Sequence, residues 1–255
     1  MAKAIFLLLF VLFESVTLTA QSPPPSDPQA VSLAAQSLAA LTGGAPITDA
    51  TLTGNVTRIA GSDQESGTAT LLAKGFAESR IDLTLSGGNR SEIRNSNSAN
   101  NLGNWVGPDG AVNVIAMHNC FTDPSWFFPA LGSLAAFAAN PNVVLSYLGT
   151  QGNLQHIQAY SFTPGLPNAQ SLSTMDFYLD AQTLLPSIVM FNTHPDGDQT
   201  INIGVQVMFS DYRNANGAMI PFHVQRYTND TLAMDIQLTT ASVNTGIPEN
   251  NFNVQ

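Results

Sequence analysis

The sequence predicts an α+β fold in which an antiparallel sheet has one apolar face covered by helices. Three observations carry this reading. Residues Ser173–Val243 read as five strands separated by turn chemistry. A second group of alternating segments lies earlier, between Ala50 and Ala116. Two apolar helical patterns, one opening at Asp27-Pro28 and the other at Asp123-Pro124, offer cover for a sheet that cannot leave an apolar face in water.

Taken in order, the chain opens with a pattern that reads as a secretory signal over residues 1–20. Lys3 supplies the positive start, Ala4–Phe13 the apolar core, and Leu18-Thr19-Ala20 a cleavage site before Gln21. The apolar run is too short to span a bilayer. No cysteine follows it to carry a lipid anchor, so the mature chain is expected to be periplasmic or secreted. Residues 21–26 are a Pro-rich linker. Residues 27–255 read as one domain, with no low-complexity stretch dividing them.

Asp27 is placed as a helix N-cap with Pro28 at the first helical position. Val31, Ala34, Ala35, Leu38 and Leu41 then fall on one face, and Thr42-Gly43-Gly44 stops the helix. Strands are expected over Ala50–Ala60, Gly67–Ala77, Glu78–Leu85 and Glu92–Arg94. Arg80-Ile81-Asp82-Leu83-Thr84-Leu85 alternates cleanly, one face apolar and one wet. Asn95–Asn104 reads as an exposed polar loop. Trp105-Val106 and Val112–Ala116 read as a hairpin around Pro108-Asp109-Gly110. Ser125–Ala139 is expected to be helical, with Gly132 as an interruption and Asn140-Pro141 as the stop. Strands at Asn142–Leu148 and Gln155–Ser161 and a Pro-rich loop at Phe162–Asn168 lead into the meander. Its strands are Thr174–Leu179, Leu184–Asn192, Thr200–Asp211, Met219–Tyr227 and Thr231–Val243. The turns at Asp180-Ala181-Gln182, His194–Asp198, Asn214–Gly217 and Asn229-Asp230 carry the Asn, Asp and Gly that positive φ favours.

Composition excludes some functions. Only 10% of the 255 residues are charged, the formal net charge is −10, and Lys plus Arg number eight. Binding to phosphate backbones or to an anionic membrane surface needs clustered cations. Cys120 is the one cysteine, so the chain forms no internal disulfide.

Reactive constellations are sparse. There is no Gly-x-Ser-x-Gly elbow. Cys120 lies two residues from His118, and a buried structural thiol is the favoured reading. His118, His156, His194 and His223 lack ligand spacing, and His194-Pro195-Asp196-Gly197-Asp198 reads as a solvated turn rather than a calcium loop. Asp176, Asp180 and Glu249 are not set at a working separation. Gly43-Gly44 and Gly87-Gly88 lack the lysine of a phosphate loop. No catalytic residue, metal or cofactor is expected, and the chain is not expected to be an enzyme.

Met175-Asp176-Phe177-Tyr178-Leu179-Asp180 followed by Leu184-Leu185-Pro186 forms one recognisable fragment. Val207–Tyr212 followed by Asn216-Gly217 and Ile220-Pro221-Phe222 forms another, and Val243-Asn244 with Ile247-Pro248 and Phe252 a third. In this order, after an N-terminal helix and the early strand Thr51–Ile59, they resemble the LolA-like and LolB-like lipoprotein-localisation factors and related periplasmic lipid-binding proteins. The resemblance implies a curved antiparallel sheet, an unclosed barrel, with helices in its concave face and an apolar cavity between them. The segment containing Phe121, Trp126, Phe127 and Phe128 has no counterpart in that pattern. No arginine here aligns with the one that holds the lid of the lipoprotein carriers.

The expected function is therefore that of an exported, monomeric carrier or binder of an apolar small molecule, lipid or acylated protein. Phe121, Trp126, Phe127, Phe128, Leu131, Leu134, Phe137 and Trp105 are the candidate cavity residues. A second expectation is an envelope sensor or scaffold that binds a protein partner through its acidic surface and the Asn95–Asn104 loop. A hydrolase on a β scaffold is the weakest.

Overall fold

The computed structural model describes residues 22–99, 101–122, 125–131, 134, 140–166 and 168–255. The signal-peptide reading of residues 1–20 and the candidate Phe137 lie outside them.

Helix α1 spans Pro28–Thr42. The Asp27 carboxylate accepts from the amides of Gln29 and Ala30, satisfying two of the donors that a helix start leaves free. Gly43, at φ +62°, ends it, and a Cβ there would meet the Gly217 carbonyl oxygen at 2.5 Å. The buried stripe is Ala30, Ala34, Ser37 and Leu41, while Val31 is 45% exposed. The expected face is thus rotated by about one residue. Small side chains let the helix approach the sheet closely, and the bulkier Val31 is turned out.

Thirteen strands among the described residues form one antiparallel sheet that does not close. They are β1 (Asp49–Ala60), β2 (Asp63–Lys74), β3 (Glu78–Leu85), β4 (Gly88–Asn95), β5 (Gly103–Val106), β6 (Val112–Val114), β7 (Val143–Gln151), β8 (Leu154–Ser161), β9 (Met175–Asp180), β10 (Pro186–Thr193), β11 (Ile203–Ala215), β12 (Ala218–Thr228) and β13 (Thr231–Val243). The order across the sheet is β6-β5-β4-β3-β2-β1-β13-β12-β11-β10-β9-β8-β7. The meander β9–β13 pairs in sequence order, as its short turns dictate. A short helix α2 (Ala169–Ser173) lies in the stretch before β9.

Cross-strand neighbours carry the apolar face from strand to strand. Leu52, Leu71 and Ile81 are successive partners, as are Phe209, Val224, Ile236 and Val56. All are buried in one core cluster with α1 residues and with Trp126, Phe127, Phe128, Leu131 and Leu134. Two glycines allow close approach of neighbouring backbone on this face. A Cβ at Gly54 would lie 2.2 Å from the Gln237 carbonyl oxygen, and one at Gly67 would lie 1.8 Å from that of Thr84.

The two edge strands are β6 and β7, and they are consecutive in the chain. The chain between β6 and β7 therefore connects the two edges of the sheet. The edge at β7 is partly covered, since the Asp27 amide donates to the Leu145 carbonyl at 2.8 Å and the Leu145 amide to Ser26 Oγ at 3.0 Å.

The Asn95–Asn104 stretch is not wholly a loop. Asn95 ends β4, and its side chain donates to Glu78 and to the Phe252 carbonyl. Asn104 is fully buried in β5, with its side-chain oxygen accepting from the Gln255 amide. The C-terminal tail thus pairs with residues whose polarity suggested solvent.

Near the middle of the sheet, Asp49 ties β1 to the chain after β13. Its carboxylate is buried and accepts from the Thr245 amide at 2.8 Å, the Thr245 hydroxyl at 3.0 Å, the Gly246 amide at 3.0 Å and the Thr48 hydroxyl at 3.2 Å. Burial pushes its pKa up, but these hydrogen bonds outweigh burial and hold it below the ordinary value. A carboxyl depressed in the folded state stabilises above its unfolded pKa of about 3.9, and that contribution is lost as the pH falls through the folded value. Asp49→Ala is expected to lower stability by about 1–3 kcal/mol at pH 7. In chemical denaturation the gap between wild type and variant should narrow as the pH is taken below about 3.9.

Candidate functional site

The chain that crosses the concave face is stapled at its start. Met117–Cys120 form a 3-10 turn. The Asn119 side chain donates to the His194 carbonyl at 2.8 Å and accepts from the His194 amide at 2.8 Å. Arg94 of β4 donates to the Asn119 carbonyl at 2.7 Å. One residue thereby links β4 to the end of β10. The His194 ring is buried and meets His118 edge to face at 5.7 Å, so His194–Asp198 is not a wholly solvated turn.

Beyond Cys120 the segment departs from the expected helix. Ser125–Leu131 is a run of turns, with the Phe128 amide on the Ser125 carbonyl and the Leu131 amide on the Phe128 carbonyl. Ser125 Oγ donates to the Leu131 carbonyl at 2.7 Å. Pro129 has no amide to donate, which disfavours a continuous helix through this stretch. Leu134 is helical. Phe127, Phe128, Leu131 and Leu134 are at most 1% exposed and belong to the core cluster, whereas Phe121 is half-buried.

Trp126 and Trp105 line a cavity of about 230 Å³ together with Ile81, Leu83, Met234 and a set of charged residues. Sheet register builds its wall. Arg226, Met234, Arg58 and Glu65 are cross-strand neighbours along β12, β13, β1 and β2. Leu83 opposes Arg90, and Ile81 opposes Glu92, which opposes Trp105. Directly opposed residues share a face, so Arg90 and Glu92 stand on the same face as Ile81 and Leu83. Trp105, 43% exposed, is at the rim, while Trp126, 2% exposed, is at the inner wall.

The charges are unevenly paired. Arg58 and Arg90 share one carboxylate, Glu65, at 3.2 and 3.0 Å. Arg94 donates to Glu92 at 2.7 Å. Burial pushes the Glu92 carboxyl up, but Arg94 and Arg226 outweigh it and hold it below the ordinary value. Arg226 makes no hydrogen bond among the described residues and lies over the Trp126 ring, 5.1 Å from its centroid.

Other polar groups are placed as follows. Cys120 is half-buried, and burial raises its thiol pKa despite the opposing pull of Arg94. No group of three or more His, Cys, Asp or Glu among the described residues is placed to hold a metal ion. Sequence reasoning missed a chain on the other face of the sheet: Ser210 Oγ lies 3.2 Å from His223 Nδ1, and His223 Nε2 lies 3.3 Å from Asp235. This is the order of groups a serine hydrolase uses. It stands on an open strand surface, with Gln225 and Gln237 also donating to Asp235, and reads as a cross-strand polar ladder. Its signal, a residue from each of three neighbouring strands, is invisible without the register.

In three dimensions the chain is similar to a domain from Vibrio parahaemolyticus described as an outer membrane lipoprotein-sorting protein (TM-score 0.57, 14% identity, 88% of this chain and 96% of that one). It is similar to a LolA superfamily protein from Nitrosomonas europaea (TM-score 0.56, 8% identity, 88% of this chain and 97% of that one). It is also similar to a DUF1329 family protein from Desulfovibrio piger (TM-score 0.57, 11% identity, 90% of this chain and 98% of that one). No protein-family model matches the sequence, and no curated protein matches it. At these identities the likeness is one of fold, and the fold is the LolA-like open, curved sheet.

Two outcomes follow. Phe127→Ala should cost about 3–5 kcal/mol in urea denaturation, because it removes a fully buried ring from the crossing segment. The Cys120 thiol should alkylate slowly with iodoacetamide at pH 8, and its rate should keep rising with pH beyond the range of a free thiol.

Proposed function

We propose that this LolA-fold half-barrel is an exported, non-catalytic binding or carrier protein that holds the apolar part of a ligand in its concave face. The observation that carries the reading is the cavity lined by Trp105, Trp126, Ile81, Leu83 and Met234 between the sheet and the segment crossing it. Two of the eight candidate residues, Trp105 and Trp126, contribute to that wall. The likeness to a domain described as sorting outer membrane lipoproteins supports a carrier role for an acylated molecule. The apolar pattern at residues 4–13 supports export to the periplasm. No helix among the described residues is long and apolar enough to cross a membrane.

The size of the cavity limits the ligand. At about 230 Å³ it falls below the roughly 300–1,000 Å³ of sites that enclose drug-sized molecules. It accommodates a short apolar stretch, each buried methylene contributing about 0.8 kcal/mol. A longer chain requires the Trp126 segment to yield.

The chain has two tryptophans, and both line the cavity. Titration with an acyl chain carrying a dansyl group should therefore quench tryptophan emission and sensitise the probe. Trp126→Phe and Trp105→Phe should each remove part of that signal. Unchanged emission at saturating probe, together with no lipid in mass spectra of protein purified from membranes, would count against the reading.

A further inference from the structure

Three buried donors without an acceptor among the described residues surround the same cavity: Arg90 Nε, Arg226 Nε and Trp126 Nε1. Buried polar groups are nearly always hydrogen-bonded, so three orphans on one wall need an explanation. Charge points the same way. The chain carries −10 overall with eight Lys and Arg, yet among the described residues three arginines, Arg58, Arg90 and Arg226, line this cavity with Glu92, and Glu65 pairs with Arg58 and Arg90 beside it. Water could satisfy three N–H groups but would not neutralise the excess charge in a partly desolvated site. The group that satisfies both is an acceptor without donors and with a negative charge.

We infer that the cavity binds a single-chain amphiphile with an anionic head, a carboxylate or a phosphate monoester. The head lies against Arg226, Arg90 and Trp126 Nε1, and the chain lies along Ile81, Leu83 and Met234. The inference rests on the ligand-binding reading above and specifies its ligand. Arg226 is the key group. It has no hydrogen bond of its own among the described residues, and it lies over the Trp126 ring. Its guanidinium remains charged at any physiological pH and offers paired donors to carboxylate or phosphate. Arg58, whose side chain is 29% exposed, adds charge from the side of β1.

The test compares four probes of equal chain length by tryptophan fluorescence and calorimetry at pH 7: decanoate, decyl phosphate, decanol and decylamine. Both anions are expected to bind about tenfold or more tightly than decanol, with decylamine weakest. Arg226→Met should remove most of the anions' advantage over decanol, while Arg226→Lys should restore part of the preference. Equal affinity for all four heads in the wild-type chain would overturn the inference but leave the ligand-binding reading standing. Failure of all four to bind would overturn the reading itself. Should Arg226→Met not fold, the head-group comparison on the wild-type chain decides alone. A preference for decyl phosphate over decanoate would point to a phosphate-bearing lipid as the source, and the reverse to a free fatty acid.

Discussion

The structure depends on covering one face of a very wide sheet. Ten of the thirteen strands, β1 to β3 and β7 to β13, place buried apolar residues in one core cluster, and such a face cannot stand in water. The chain solves this by connectivity. Its two edge strands are neighbours in sequence, and the described residues 126–131 and Leu134 of the link between them lie against the core cluster. Phe127, Phe128, Leu131 and Leu134 fill the centre from that link, and α1 adds cover against β7, β8 and β12. At Gly54 and Gly67 the neighbouring strand's backbone lies where a side chain would stand.

Much of this was legible in the sequence. The strand Thr231–Val243 was read with its observed limits, and Glu78–Leu85 likewise, because their ends coincide with turn residues and their interiors alternate. The strand β2 begins earlier than its apolar residues suggest, since Asp63–Glu65 continue the hairpin with β1 through pairing rather than burial. The helix read over Ser125–Ala139 rested on apolar density, which fixes burial but not backbone form. Where Ser125–Leu131 is described it is a chain of turns.

The site was legible only in part. Aromatic density pointed to Trp126 and its neighbours, but nothing in the sequence says which rings face a cavity and which are packed solid. The arginines were missed for a definite reason. In β4 the residue that looks like core is Ile93, which would turn Arg90, Glu92 and Arg94 to solvent. The C-terminal tail reverses this: Phe252 is fully buried, and Asn95 at the end of β4 donates to its carbonyl. With Ile93 buried on that side, Arg90, Glu92 and Arg94 occupy the other face of the strand. A strand covered on both sides no longer tells its inner face by polarity.

The link across the concavity also acts on the sheet that carries it. Together they form a bow and its string: the curved ribbon of strands is the bow, and the chain between β6 and β7 connects its tips. Asn119 clamps the string near one end, between Arg94 and the backbone of His194. The cavity beneath Trp126 takes a short apolar stretch as it stands, and only a longer ligand has to displace that buried ring from the core cluster. The length of a ligand then decides whether it is held in the space already present or at the expense of the packing around Trp126.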